Sequence, residues 1–292
     1  MDMNIGPHEV VALSLNRKAG NPNTATVSVF DRGFLFGDGV YEVIRVYSGR
    51  PWLFERHIDR LRQSVAAIHI EVDDFHGLEQ HARKLLQESG VEDGMIYIQV
   101  TRGASYPRQH AFPTGIRPTE FVLIRQVADP YQNLRKIGAT AVTVSDNRWR
   151  NCGIKSINLL ANVLANQTAR NDGAVEALFV DRDGLLMEGS HTNVFFVRDR
   201  LLITPPATAN ILRGVTRDCI LFMAQQMGIR VVEENLPISA LLTFTECFVT
   251  GTMTEVLPII AIDGKGVGFG RPGPITQAIA EKLDSAINEF RK

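Results

Sequence analysis

The sequence DRGFLFGDGVYEVIRVY, residues 31–47, is the stretch from which the fold is predicted first. Its opening residues, 31–33, interrupt a run of strand-forming residues at 27–30, which we predict as a strand. Residues 40–47 alternate, so that one face of a second strand would carry Val40, Glu42, Ile44 and Val46. The first third of the chain therefore alternates strand and turn patterns.

The rest of the chain mixes strand and helix patterns. Further strands are predicted at residues 52–54, 95–102, 121–127, 139–145, 177–180, 185–197 and 247–250. Helices are predicted at residues 55–68, 78–89, 157–169 and 216–227, the last capped by Thr216 and closed by Gly228. A turn at Asp183-Gly184 makes 177–197 a hairpin.

These patterns predict an α/β fold of the α+β type with two domains. A chain of 292 residues is long for a single core. Proline and polar residues at 128–133 interrupt two apolar runs. We therefore predict a smaller N-terminal α/β domain at residues 1–127, a linker at 128–133 and a larger C-terminal α/β domain at 134–292.

Composition excludes several classes of function. Lys and Arg number 31 against 32 acidic residues, so the net charge of −1 offers no footprint for nucleic acid or an anionic membrane. No apolar run approaches a membrane span, and the N-terminus, MDMNIGPHEVV, lacks the pattern of a signal peptide. Three widely spaced cysteines indicate neither a zinc site nor a disulfide framework. We expect a soluble, cytoplasmic protein without a metal.

Two segments have the chemistry of an anion site. In Arg213-Gly214-Val215-Thr216, a glycine turn brings backbone N–H groups and a hydroxyl to the start of a helix. Gly251-Thr252-Met253-Thr254 repeats this chemistry after a strand. A plain helix cap and a plain turn are the alternatives. Because the chain has no P-loop and no GxGxxG motif, the pair favours a phosphate bound by loops.

Several side chains are candidates for catalysis or binding. A lysine removed from water, such as Lys155 beside an apolar neighbour, becomes a nucleophilic amine, although most such lysines are surface residues. Glu188 in an apolar strand could form an ion pair or hold a proton on a ring nitrogen. Arg108 and His110 could bind a carboxylate, or belong to a solvated loop. His57 and Arg60 share one face of a helix.

Eight motifs, taken together, resemble the fold-type IV pyridoxal phosphate aminotransferases, and among them the D-amino acid transaminases. Their order and approximate separations agree with the family's over nearly the whole chain. The motifs are DRGFLFGDGVYEVIRVY (31–47), HIDRL (57–61), IYIQVTRG (96–103), PRQHAFP (107–113), IKSINLL (154–160), MEGSHTNVF (187–195), ILRGVTRD (211–218) and FVTGTMTEVLP (248–258).

The resemblance implies a cofactor, pyridoxal 5'-phosphate, and a role for each matching residue. Lys155 corresponds to the catalytic lysine that carries the cofactor as a Schiff base, and Glu188 to the carboxylate that faces the pyridine nitrogen. Arg148 corresponds to a residue near the phenolic oxygen of the ring, and Leu212 to one that packs on the ring face. The phosphate would be bound by Arg60, Val215, Thr216, Thr252 and Met253.

The resemblance also implies a trap for the substrate carboxylate, formed by Tyr41, Arg108 and His110, the last two from a partner subunit of a homodimer. His191, which we place in the substrate site with Thr192, stands where small hydroxyl residues are usual, and Tyr106 is an extra residue before the trap. The expected reaction is transamination between a D-amino acid and a 2-oxo acid.

Related activities remain open at this point. They are those of branched-chain L-amino acid transaminases, (R)-amine transaminases and aminodeoxychorismate lyases. A protein that binds pyridoxal phosphate without catalysis is the alternative from a different class. The PRxH run at 107–110 favours the D-amino acid interpretation.

Overall fold

The computed structural model describes residues 10–292, except for the side chain of Leu242. The predicted absence of a signal peptide concerns mainly residues 1–9, which lie outside the described residues. Six strands form the first sheet: β1 (Val10–Leu15), β2 (Lys18–Gly20), β3 (Gly39–Tyr47), β4 (Arg50–Pro51), β5 (Gly94–Thr101) and β6 (Thr119–Gln126). Their order is β2-β1-β6-β5-β3-β4, and every pair is antiparallel.

Three helices accompany the first sheet: α1 (Arg32–Phe36), α2 (Phe54–Ala67) and α3 (Phe75–Ser89). Apolar residues recur on α2 at helical spacing, and Ile58, Leu61 and Val65 on that stripe are buried. They pack with Val40 and Ile44 of β3 in one hydrophobic core. The predicted strand at 40–47 and the predicted helix at 55–68 are therefore confirmed to within a residue or two.

Ten strands form the second sheet, which is mixed. They are β7 (Ala139–Ser145), β8 (Glu176–Val180), β9 (Leu185–Gly189), β10 (Asn193–Arg198), β11 (Leu201–Thr204), β12 (Val231–Glu233), β13 (Leu236–Pro237), β14 (Glu246–Gly251), β15 (Glu255–Ile262) and β16 (Lys265–Gly266). The order is β12-β11-β10-β14-β15-β7-β8-β9-β13, with β16 on β15. β7 pairs in parallel with β8 and β15, and β11 with β12.

Four helices and a 3-10 helix (Ile238–Thr243) belong to this half: α4 (Gln132–Ile137), α5 (Leu160–Asn171), α6 (Val215–Gln226) and α7 (Pro274–Arg291). α6 and α7 share a core with the sheet, where the rings of Phe195 and Phe248 stack with centroids 4.9 Å apart. Among residues 10–292, none of the helices has the length and apolar character needed to cross a membrane.

The mixed architecture confirms the predicted fold class. The strands of the first sheet come from residues 10–126 and those of the second from 139–266. The domain boundaries drawn at residues 127 and 134 stay predictions. The last two residues of the predicted linker already belong to α4.

Two short predicted strands are wrong. Residues 27–30 form no strand, and Val27, Val29 and Phe30 are exposed, because strand-forming residues make a strand only where a neighbour pairs with them. Residues 52–54 form no strand either. Leu53 has a left-handed φ of 51°, and Phe54 already begins α2.

Two further predictions are wrong, and both concern residues of the site described in the next subsection. The strand predicted at 185–197 is two strands, β9 and β10, separated by a turn at 190–192. Thr216 does not cap α6, because the helix begins one residue earlier, at Val215, with Gly214 as its N-cap. The turn at 190–192 is only three residues long, so the strand periodicity continues through it and does not reveal its position.

Candidate active site

A cavity of about 1060 Å³ receives residues from both sheets and from α2, α5 and the start of α6. Most of the residues predicted to form the active site line it. They are Tyr41, Arg60, Arg148, Lys155, Glu188, His191, Thr192, Leu212, Val215, Thr216 and Thr252. Groups that lie far apart in the sequence are thus brought to one cavity.

Lys155 is held in the cavity by contacts with β3 of the first sheet and with helix α2. Its backbone carbonyl accepts a hydrogen bond of 3.0 Å from the N–H of Tyr41, and its own N–H donates to Ser64 Oγ at 3.2 Å. Val40 and Ser156 form an isolated β-bridge beside this contact. The Lys155 Nζ lies 4.3 Å from the centroid of the Tyr41 ring. The amine is therefore fixed at the junction of β3 and the segment before α5.

Glu188 lies at the end of β9, buried and hydrogen-bonded. Arg148 Nη1 donates to Glu188 Oε1 at 2.5 Å, and the backbone N–H of Leu212 donates to Oε2 at 3.1 Å. Asn193 Nδ2 donates to the same oxygen at 3.3 Å. Arg148 is itself held by two hydrogen bonds to Asp146, at 3.0 and 2.8 Å. The acid is thus placed by groups from three separate segments.

Burial dominates the electrostatics of this acid. It raises the pKa of Glu188 to about 7, although Arg148 and the N–H of Leu212 lower it. The pKa of the Arg148 guanidinium is also raised, because its carboxylate partners outweigh the effect of burial. Near neutral pH the Glu188 carboxyl is poised between its two forms, so a further cation beside it would favour the carboxylate.

Helix α6 begins at the cavity and is suited to an anion. Its N-cap is Gly214, which has no side chain to cap the first N–H groups, so these groups remain as donors. Val215 and Thr216 follow, and both line the cavity with Thr252 and Arg60. N–H, hydroxyl and guanidinium donors from separate elements therefore face one cavity.

Arg60 is oriented by a buried acid that the sequence reasoning missed as a site residue. Arg60 Nε and Nη2 donate to the two oxygens of Glu42 at 2.6 and 2.9 Å, and His57 Nδ1 lies 2.8 Å from Glu42 Oε2. Burial by itself would raise the pKa of Glu42, but Arg60 and His57 lower it to about 2. A glutamate on the apolar face of β3 was the signal in the sequence.

The turn at 190–192 surrounds a second buried acid, Glu176, which the sequence reasoning also missed. Thr192 Oγ1 donates to Glu176 Oε2 at 2.7 Å, and Ser190 Oγ donates to Oε1 at 2.5 Å. The Nδ1 atom of His191 lies 3.2 Å from Glu176 Oε2, while 44% of its side chain is exposed. The hydroxyl of Thr192 is therefore engaged within the protein, and His191 lines the cavity with its side chain partly open to solvent.

Three predicted site residues do not line this cavity. Met253 lies beyond it, and its carbonyl accepts a hydrogen bond from Arg135 Nη2 at 3.2 Å. Arg108 and His110 are exposed on a loop of the first half, where both contact Phe36. Their assignment to the cavity of a partner subunit stays a prediction.

The donor set fits pyridoxal phosphate. The anion donors, the buried Glu188 that is ready to pair with a cationic ring nitrogen, and the Lys155 amine all line the same space. Leu212 supplies an apolar side chain to the lining. Arg148 contacts Glu188 directly, so its predicted place near the phenolic oxygen remains a proposal.

Relatives of known name share most of this chain. A D-alanine aminotransferase from Bacillus licheniformis is 38% identical over 262 residues, which cover 89% of this chain and 92% of that protein. One from Listeria monocytogenes serotype 1/2a (strain 10403S) is 39% identical over 273 residues, covering 91% and 94%.

Solved structures share the fold. The branched-chain amino acid aminotransferase of Escherichia coli has a TM-score of 0.86 at 27% identity and covers 96% of this chain and 95% of its own. That of Thermoproteus uzoniensis, solved with norvaline, has a TM-score of 0.84 at 27% identity, with coverages of 96% and 95%. These likenesses confirm the predicted resemblance. The family model for amino-transferase class IV matches residues 39–262, and the chain belongs to that family.

Proposed function

We propose that this protein uses pyridoxal 5'-phosphate to transfer an amino group between a D-amino acid and a 2-oxo acid such as 2-oxoglutarate or pyruvate. The observation that carries the proposal is that Lys155 and Glu188 line one cavity with a set of anion donors. Relatives 38% and 39% identical to this chain are named D-alanine aminotransferase, which supports the D-amino acid as donor.

The cofactor-binding roles follow from the donors. Arg60, with the start of α6 and Thr252, binds the phosphate, and Glu42 fixes the direction of the Arg60 guanidinium. Glu188, as a carboxylate, holds a proton on the ring nitrogen. Leu212, which lines the cavity, would pack against the face of the ring. When bound, pyridoxal phosphate supplies an aldehyde that condenses with amines and a cationic ring that accepts the electrons of the substrate Cα–H bond.

Lys155 moves the proton. Its amine would take the proton from the substrate Cα and deliver it to C4′ of the cofactor, the carbon that keeps the amino group, so that Lys155 acts first as a base and then as an acid. The Tyr41 ring beside Nζ and the backbone contacts of Lys155 keep the amine within reach of the substrate. Arg108 and His110 bind the substrate carboxylate with Tyr41.

A homodimer is part of the proposal, because the loop with Arg108 and His110 lies away from the cavity of its own chain. Apolar side chains at the rim support a second copy as cover, since Leu160, Val163 and Leu164 on α5 are 59–72% exposed and also line the cavity. Mixing two defective variants tests the arrangement. A Lys155→Ala chain and an Arg108→Ala chain, unfolded and refolded together, should regain activity that neither has alone, and no recovery would place the trap elsewhere.

The substrate assay compares D-alanine and L-leucine, each with 2-oxoglutarate. D-alanine should yield pyruvate and L-leucine should not react. The structural neighbours named branched-chain amino acid aminotransferases make L-leucine the relevant competitor. Turnover of L-leucine without D-alanine would reject the proposed donor.

We also propose a cytoplasmic location. The three cysteines, Cys152, Cys219 and Cys247, are free thiols, and thiols persist in a reducing compartment. Fractionation of cells that produce the protein tests this, and recovery from an exported fraction would contradict it.

A further inference from the structure

The loop that carries Arg108 and His110 accepts hydrogen bonds from a buried arginine, Arg32. Arg32 Nη1 donates to the backbone carbonyl of Gln109 at 2.7 Å, and Arg32 Nη2 donates to that of His110 at 3.1 Å. The carbonyl of Ala111 is a weaker acceptor at 3.4 Å. One guanidinium thus donates hydrogen bonds to three consecutive backbone carbonyls, and the first of them belongs to Gln109, the residue after Arg108.

This guanidinium is itself fixed by a shared acid. Arg32 Nε donates to Asp38 Oδ2 at 2.8 Å, and its side chain is only 5% exposed. Arg102 Nε donates to the same oxygen at 2.8 Å, and Arg102 also binds the carbonyls of Ile68 and His69 at the end of α2. Burial by itself would raise the pKa of Asp38, but hydrogen bonds from Arg102 and Arg32 lower it, so the carboxylate stays charged.

Further contacts tie the two segments together. The backbone N–H of Arg32 donates to the carbonyl of Gly103 at 2.9 Å, and that of Ser105 donates to the carbonyl of Phe30 at 3.1 Å. The Phe36 ring lies under the Arg108 guanidinium, 4.3 Å from its central carbon. The loop therefore packs against the segment 30–38 and is hydrogen-bonded to it.

We propose that Arg32 is a positioning residue for substrate recognition: its guanidinium, held by Asp38, sets the backbone of residues 109–111 and thereby the directions of the Arg108 and His110 side chains. The inference rests on the proposed function, in which these two side chains bind the substrate carboxylate. A planar group with five N–H donors can serve several carbonyls and a carboxylate at once, whereas lysine is a point charge on a flexible chain.

The test uses Arg32→Lys and Arg32→Gln in the complete protein loaded with cofactor. Arg17→Gln is the control, because the Arg17 guanidinium, like that of Arg32, binds both carboxylate and backbone carbonyl oxygens, but its partners, Glu120 and Asp74, lie outside the loop. Three quantities are measured: the KM and kcat for D-alanine, the Kd for pyridoxal phosphate, and the hydrogen exchange of the amides of residues 108–112.

Both Arg32 variants should raise the KM for D-alanine by roughly 10- to 100-fold, since a shift of about 1 Å in a binding group has effects of that size. The Kd for pyridoxal phosphate should stay at the wild-type value, and the loop amides should exchange faster. Arg17→Gln should change neither the KM nor the exchange.

A wild-type KM in both Arg32 variants, or loop amides that exchange at the wild-type rate, would overturn the inference. Equal changes in KM in the Arg17 control would also overturn it. If Arg32→Gln does not fold, Arg32→Lys and Asp38→Asn carry the same comparison. If the wild-type protein turns over no D-amino acid, the proposed function fails, while the exchange of the loop amides still decides whether Arg32 positions them.

Discussion

Replacing Glu42 by glutamine should destabilise the protein through one buried charge. The Glu42 side chain is wholly buried, and both of its oxygens accept hydrogen bonds from Arg60. Glutamine keeps the shape but removes the negative charge, so the Arg60 guanidinium and the His57 ring lose their shared partner. Removing one member of a buried ion pair typically costs about 3–5 kcal/mol, because the other charge is left unpaired.

The lowered pKa of Glu42 gives a similar value for the stabilisation by this charge and shows how the stabilisation depends on pH. The pKa falls from its usual 4.5 to about 2, and each pH unit corresponds to about 1.4 kcal/mol, which gives roughly 3 kcal/mol. Because the folded-state pKa is the lower one, this stabilisation is complete above pH 4.5 and is lost as the pH falls through about 2.

Urea unfolding of the cofactor-free proteins, followed by circular dichroism, measures the difference in free energy of unfolding between wild type and Glu42→Gln. The free energy of unfolding of Glu42→Gln should lie roughly 3–5 kcal/mol below wild type at neutral pH. The gap should narrow by about 1.4 kcal/mol per pH unit below pH 4.5. Glu120→Gln is the control, because Glu120 also pairs with an arginine, but that arginine, Arg17, is 31% exposed, so solvent weakens the pair.

Two results would refute this reasoning. One is a Glu42→Gln protein as stable as wild type at neutral pH. The other is a loss that stays constant on acidification, since it would arise from packing and not from the charge.

Three more predictions follow from single groups. Lys155→Ala should abolish turnover and the long-wavelength absorbance of the bound cofactor, and a variant with wild-type activity would reject the role of Lys155. Burial raises the pKa of Glu188 to about 7, so the cofactor-free protein should lose roughly 3 kcal/mol of stability as the pH rises from 4.5 through about 7. Glu188→Gln should remove this pH dependence of the free energy of unfolding, measured with urea. The same pH dependence in both proteins would contradict the prediction. Gly103→Ala should lower the free energy of unfolding by roughly 2–4 kcal/mol, because Gly103 has a φ of 102° and a new Cβ would lie 2.0 Å from the Arg117 carbonyl; an unchanged Tm would show that the turn adapts.

Local patterns predicted the parts of the fold that local physics controls. The alternation at 40–47 and the helical stripe of α2 identified β3 and α2, because burial of one face imposes a period that the sequence records. The same reasoning failed at residues 27–30, whose strand-forming side chains have no neighbouring strand and are exposed. It also passed over the turn at 190–192, which is too short to interrupt the pattern of the two strands that flank it.

The sequence by itself determined the motifs that contain Lys155 and Glu188, which were identified by resemblance, and the structure places both residues in one cavity. Only the tertiary structure decided how those residues are held. Glu42 behind Arg60, Glu176 behind Thr192 and Arg32 beneath the Arg108 loop are contacts between residues 16 to 79 positions apart. Such partners share no local period, because a buried charge selects whichever opposite charge or donor the folded chain brings beside it.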